Sequence, residues 1–219
     1  MNEVLLYKAL TWAIPILFAI TLHEAAHAYV AKFFGDNTAY SLGRMSLNPI
    51  RHIDPVGTVV LPVALLLVSS PFIFGYAKPV PVNSGKLRNP RSSMAFVALA
   101  GPLSNLLMVL MWQVAGIILQ LAGIKTVFLL EMVKAGIIVN LVLFAFNLFP
   151  LPPLDGGRIL TSILPTPVGR MFARIEPFGF FILIGLLYFG VLRYWMRPLM
   201  VFGQTAVHTV LMPLSFLWR

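Results

Sequence analysis

The sequence predicts an all-α polytopic membrane protein with about five to six transmembrane helices, a re-entrant segment and a short membrane-associated β-hairpin or loop between the first two core helices. Three observations carry this. Of 219 residues, 59% are hydrophobic and only 11% charged, where a globular protein carries about 25% charged residues, and the mean hydropathy is +0.89. Apolar stretches recur at lengths near the roughly 20 residues that span hydrocarbon. The basic excess, sixteen Lys and Arg against seven acids for a net charge of +9, falls in the loops between those stretches, as the positive-inside rule expects. A compact basic domain is missing, so no nucleic-acid partner is expected; the partner surface is the lipid bilayer. Cysteine is absent, which excludes a disulfide framework, a thiolate metal site and a cysteine nucleophile.

The apolar stretches run from Val4 to Phe34, Val56 to Phe74, Met94 to Ala122, Val127 to Phe149, Phe178 to Leu192 and Pro198 to Trp218. The first is read as a retained membrane helix, because Met1 to Lys8 offers neither a charged leader nor a small-residue cleavage site. Between the stretches lie turn-forming loops: Gly35-Asp36-Asn37, Asn48-Pro49, Gly75 to Pro90 and Leu151 to Gly157. With no repeat and no composition shift, residues 1–219 are expected to form one membrane domain, with a core over about 9–160 and C-terminal helices over 175–219.

The stretch from Val56 to Phe74 decides the topology. Lys32, Arg44 and Arg51 precede it, and Lys78, Lys86, Arg88 and Arg91 follow it. Both flanks should therefore lie on the cytoplasmic side, with the stretch entering the membrane and returning. Pro62, Pro71 and Ser69-Ser70 are points where such a helix can break. Arg193 and Arg197 fall on the outer side of this arrangement, which leaves open a partial or interfacial helix for the last stretch, with its Gln204 and His208.

Within the first stretch stands His23-Glu24-Ala25-Ala26-His27. An ionisable residue at mid-bilayer costs about 2.5–3.5 kcal/mol, so three in one and a half turns need a use. On a helix of 3.6 residues per turn, His23 and His27 project from one face and can share one metal ion, while Glu24 is free to act as a base toward a water the metal activates. A catalytic zinc usually takes three protein ligands and keeps a fourth position open. The other acids, Glu3, Asp36, Asp54, Glu131 and Glu176, lie in loops or at segment ends, whereas Asp155 sits in Asn147-Leu-Phe-Pro-Leu-Pro-Pro-Leu-Asp155-Gly-Gly157. There the prolines stop a helix and the glycines permit a tight turn around one carboxylate. An N-cap for the helix beginning near Arg158 is the other reading of Asp155, and the two roles can coexist. For Asp155 to meet the two histidines, the helix ends that carry them must face one side of the membrane. That requires the stretch from Val56 to Phe74 to make no net crossing, the conclusion the loop charges give independently.

HEAAH in the first span, GYAKPVPVN at Gly75 to Asn83, AGPLSN at Ala100 to Asn105 and NLFPLPPLDGG at Asn147 to Gly157 together resemble the site-2 protease family of intramembrane zinc metalloproteases, over about residues 9–160. The resemblance implies a membrane-embedded endopeptidase that cuts in or near transmembrane segments of other membrane proteins. It implies one Zn2+ per chain on His23, His27 and Asp155, Glu24 as general base, and Asn147 on substrate or the developing oxyanion. It further implies that Gly75, Tyr76, Ala77, Lys78, Pro79 and Val80 belong to a β-hairpin that takes substrate as an added strand. Small residues give AGPLSN a packing role. Members act in the inner (plasma) membrane with the active site toward the cytoplasm, and neither a PDZ insertion nor a regulatory nucleotide-binding domain is expected here. Asn105, Asn140 and Asn147 either line a polar gap that admits water or hold helices together. Two rival functions are a metal-ion transporter or channel, which would need successive ligand sets, and an inactive protease-like scaffold, which would have no need of Glu24.

Overall fold

The computed structural model describes residues 3–67 and 75–213, and the regular structure among them is helical. The elements are α1 (Glu3–Phe33), α2 (Thr38–Ser41), α3 (Leu61–Leu67), α4 (Pro90–Leu121), α5 (Val127–Asn147), α6 (Asp155–Ile163), α7 (Thr166–Ala173), α8 (Glu176–Tyr188) and α9 (Val191–Leu211). A π-helical turn, Pro55–Val60, leads into α3; the Asp54 carboxylate caps it by accepting from the amides of Val56 and Gly57. The centre of the molecule is α4, which packs on α1, α5, α6 and α9. Ala19, Ala25, Ala28 and Ala31 of α1 are almost wholly buried; such small side chains let helix backbones approach closely where no hydrophobic force drives helices together. Leu103, Leu107, Met111 and Ile118 of α4 are exposed, an apolar outer stripe suited to lipid.

Three helices, Leu10–Phe33, Pro90–Leu121 and Val127–Asn147, are long and apolar enough to cross a membrane, or four if α7 and α8, bent by 66° at their junction, count as one span. The expected five to six is thus corrected to three or four among the described residues. The stretch from Phe178 to Leu192 falls short because α8 has 13 residues and the chain turns at Gly190, φ +69°, a left-handed conformation that costs an L side chain. Helix α9 has 21 residues but carries Arg193, Arg197, Gln204 and His208. Its apolar side is nonetheless used: Val207 and Leu211 complete a core with Val109 of α4 and Leu141 of α5. The end of the last expected stretch, residues 214–218, lies outside the described residues.

So do Ser69, Ser70, Pro71 and the rest of 68–74, but the flanks of that stretch are informative. The Tyr76 N–H donates to Gly57 O (3.0 Å), the Thr58 hydroxyl to Tyr76 O (2.9 Å) and the Lys78 N–H to His52 O (3.0 Å). The residues that flank the stretch on either side therefore lie against one another.

The expected β-hairpin at Gly75–Asn83 is not found; these residues form no strand. A hairpin needs two chains exchanging N–H and C=O groups, and Pro79 and Pro81 have no N–H to give. The segment instead spends alternate donors on unlike partners: Tyr76 on Gly57 O, Lys78 on His52 O and Val80 on the Glu24 carboxylate. Arg44 adds a bond to Lys78 O at 2.8 Å.

The far end of the segment is tied by Asp36, which is 1% exposed. It accepts from the Thr38 N–H (2.9 Å), the Thr38 hydroxyl (2.5 Å) and the Asn83 N–H (2.6 Å). Burial pushes its carboxyl up, but the bonds from Thr38 and Asn83 outweigh that and hold it below the usual carboxylate range. A carboxyl depressed on folding contributes stability that is present above its unfolded value and lost as pH falls through its folded one. Asp36→Ala is accordingly expected to lower stability at neutral pH by about 1–3 kcal/mol. Followed by thermal unfolding, its deficit against wild type should hold down to about pH 4 and shrink below it; a deficit independent of pH would count against the assignment.

Candidate metal centre

His23 and His27 stand one turn apart on the face of α1 that meets α4, and both are more than nine-tenths buried. Each ring is fixed through Nδ1. His23 Nδ1 lies 2.7 Å from Asn105 Oδ1 and His27 Nδ1 lies 2.7 Å from Val97 O. Both partners are acceptors, so Nδ1 carries the proton on each ring and Nε2 presents a lone pair.

Asp155 reaches the same point from the turn after α5. Leu148 to Leu154 double back so tightly that a Cβ on Gly156 would overlap the Leu148 and Phe149 carbonyl oxygens, and one on Gly157 would overlap Pro152 N. Only glycine fits at either position. Asp155 is the first residue of α6, not its cap; Leu154 occupies the cap position, and the carboxylate is left for the histidines. Its Oδ2 is 3.2 Å from His23 Nε2 and 3.4 Å from His27 Nε2, and the two Nε2 atoms are 3.0 Å apart.

Those distances form the fit test for a metal. Ligand atoms bonded at about 2.0–2.1 Å to one tetrahedral ion sit about 3.3–3.4 Å apart, close to the triangle observed. Asp155 Oδ2 is buried with no hydrogen-bond partner, and two imidazole lone pairs face it. Such a convergence of acceptors is unfavourable unless a cation joins them. A nitrogen and oxygen donor set with no thiolate suits zinc. Among the described residues this is the group of His and acidic side chains able to hold an ion.

Around it runs a polar chain through the bundle. Asn105 Nδ2 donates to Asn140 Oδ1 (2.9 Å), and Asn140 Nδ2 donates to Gly136 O (2.8 Å); both asparagines are fully buried. Of the two roles open to them from sequence, they take that of holding helices, with the added task at Asn105 of orienting His23. Val97, Gly101 and Asn105 form a stripe on α4 at i, i+4 and i+8, and a Cβ on Gly101 would overlap both Nε2 atoms. The packing role expected of AGPLSN thus extends to clearing room at the ligand triangle. A glycine and an asparagine at helical spacing in a small-residue motif was the available signal.

Glu24 is half-buried: its Oε2 accepts the Val80 N–H at 2.7 Å, and Oε1 has no partner among the described residues. Asn147 is not drawn into the cluster; its side-chain amide donates to Leu143 O, one turn back, at 3.1 Å. Of Gly75 to Val80, only Val80 is buried, and Ala77 keeps its N–H and C=O unpaired among the described residues.

Comparison with known proteins finds a peptidase family and zinc metalloproteases by name. Peptidase family M50 matches residues 113–189, which include Asn147 and Asp155 but not HEAAH. The chain is 37% identical over 199 residues to a Bacillus subtilis protein named as a zinc metalloprotease, YwhC, covering 89% of this chain and 87% of that protein. It is 29% identical to Rip2 of Mycolicibacterium smegmatis, also named as a zinc metalloprotease, over 82% of this chain and 67% of that one. Rip2 of Mycobacterium tuberculosis is 28% identical over 84% and 71%. No solved structure matches.

Proposed function

Since the chain belongs to peptidase family M50, the site-2 protease family of metalloproteases, we propose that His23, His27 and Asp155 hold one zinc ion, that Glu24 is the general base, and that the bond cut lies in or near a transmembrane segment of another membrane protein. The observation that carries this is the triangle of ligand atoms at 3.0–3.4 Å with Asp155 Oδ2 otherwise unpaired, next in sequence to a carboxylate with no ligand duty. A translocation path would need successive ligand sets, and the described residues form one.

Zinc bound there would polarise the scissile carbonyl and acidify water toward a pKa of about 7. The chain's own groups do the rest. Glu24 takes a proton from the attacking water as its oxygen bonds to the carbonyl carbon, then delivers it to the amide nitrogen as the C–N bond breaks, leaving a carboxylic acid and an amine, between which the second water proton passes to give carboxylate and ammonium. Asn105 and the Val97 carbonyl keep both imidazoles in one tautomer throughout. The free edge at Ala77, flanked by Tyr76 to Val80, offers main-chain groups to an unwound substrate, and Asn147, whose Oδ1 is unpaired among the described residues, lies eight residues before Asp155 to receive the same segment. His27 is six residues, about 9 Å, from the end of α1. The basic loops lie at that end, which favours a cytoplasm-facing site in an inner (plasma) membrane. One protease domain over the full 219 residues is the matching organisation.

The test is to reconstitute the purified protein in bilayers with a panel of single-span membrane proteins. One zinc per chain is expected, with cleavage abolished by a chelator and restored by zinc. Undiminished cleavage by the zinc-free protein, or zinc flux across the bilayer in place of cleavage, would refute the reading.

A further inference from the structure

We propose that the backbone N–H of Val80 is a positioning group for Glu24, holding one carboxylate oxygen so that the other is presented for proton transfer; this rests on the reading of Glu24 as base. The bond, Val80 N to Glu24 Oε2, is 2.7 Å long, the short range of charge-assisted hydrogen bonds. It joins α1 to a segment 56 residues away and is the side chain's single bond among the described residues.

The donor is built to stay where it is. Val80 is flanked by Pro79 and Pro81, so in this tripeptide it owns the one N–H, and both neighbours have φ fixed near −65°. Its side chain is 5% exposed and seated on Ala28 and Ala39, with Met45 beside them. On one side Lys78 is bound through its N–H to His52 O and through its C=O to Arg44; on the other Asn83 is bound to Asp36. A segment held only for its own fold would have enough in those anchors. The donation to Glu24 adds no support that the anchors lack, yet it removes the rotational freedom of a long side chain beside the ligand triangle.

Mobility of Glu24 is the expected result of losing the donor. Val80→Pro deletes the N–H at a position that the following Pro81 already restricts to the extended region a proline can enter, and replacement of Val80 by its α-hydroxy acid deletes it while keeping the side chain. Both proteins, zinc-loaded, are compared with wild type for kcat and KM on a single-span substrate. A 10–100-fold fall in kcat is expected, the range found when groups that orient a metal site are lost, with KM within about threefold and zinc at one per chain. Val80→Ala keeps the N–H and is expected to move KM more than kcat. Asp36→Ala, which frees the segment at Asn83, measures generic loosening. The proposal is overturned if either donor-deleted protein keeps wild-type kcat, or if kcat falls only in proportion to a loss of thermal stability, as in Asp36→Ala. Wild-type kcat in zinc-loaded Glu24→Gln would instead remove Glu24 as base, whatever the Val80 variants do.

Discussion

Glu24→Gln is expected to bind zinc at one per chain and to hydrolyse substrate about a thousandfold more slowly than wild type, within the 10²–10⁴ range that general acid–base groups contribute. The substitution is close to isosteric. A glutamine oxygen can still accept the Val80 N–H, so the segment from Tyr76 to Asn83 keeps its anchors, and the ligand triangle is untouched. What is lost is a group that can take a proton. Metal analysis and single-turnover cleavage on the same sample separate the two: full zinc with residual cleavage at the chelated level supports the role, and full zinc with wild-type cleavage refutes it.

Gly101→Ala is expected to lower zinc affinity by more than tenfold and to remove activity with it. A methyl at residue 101 would overlap Nε2 of both histidines, and the rings have nowhere to retreat because Asn105 and Val97 O hold them through Nδ1. All three constraints come from one face of α4, so relief would require the whole helix to shift, and packed cores resist that at about 1–3 kcal/mol for an inserted methyl group. Gly185→Ala is the matched control, since a Cβ there meets nothing within 4 Å; it is expected to leave zinc content and cleavage intact and to gain up to about 1 kcal/mol of helix stability. If the two variants bind zinc equally well, the proposed crowding at Gly101 is wrong.

How much of this could be read from residues alone varies with the range of the interaction. His23 and His27 share a helix face by local periodicity, and Asp155 is presented by a proline and glycine turn whose stiffness is likewise local, so the triangle was legible in outline. That the two flanks of the stretch after Val56 lie together was also legible, because charges on both flanks and the side on which Asp155 must meet HEAAH are independent constraints with one solution. The hairpin was not. A run such as Gly75 to Asn83 shows that its donors need partners, but whether those are a second strand or a carboxylate from α1 depends on tertiary approach. The span count failed for a related reason: hydropathy integrates over a window and cannot see the left-handed turn at Gly190 or the bend between α7 and α8. Asn105 was visible as a polar residue in an apolar helix, and its partner His23, 82 residues away, was not.

The two Nδ1 locks on α4 have a consequence for assembly. They use the ring nitrogens that a metal held through Nε2 leaves alone, so the same two bonds that seat α1 on α4 also aim the ligand atoms. A change at Asn105 is therefore expected to be felt twice, as a loosened contact between the two helices and as a His23 ring free to turn its Nε2 away from His27 and Asp155.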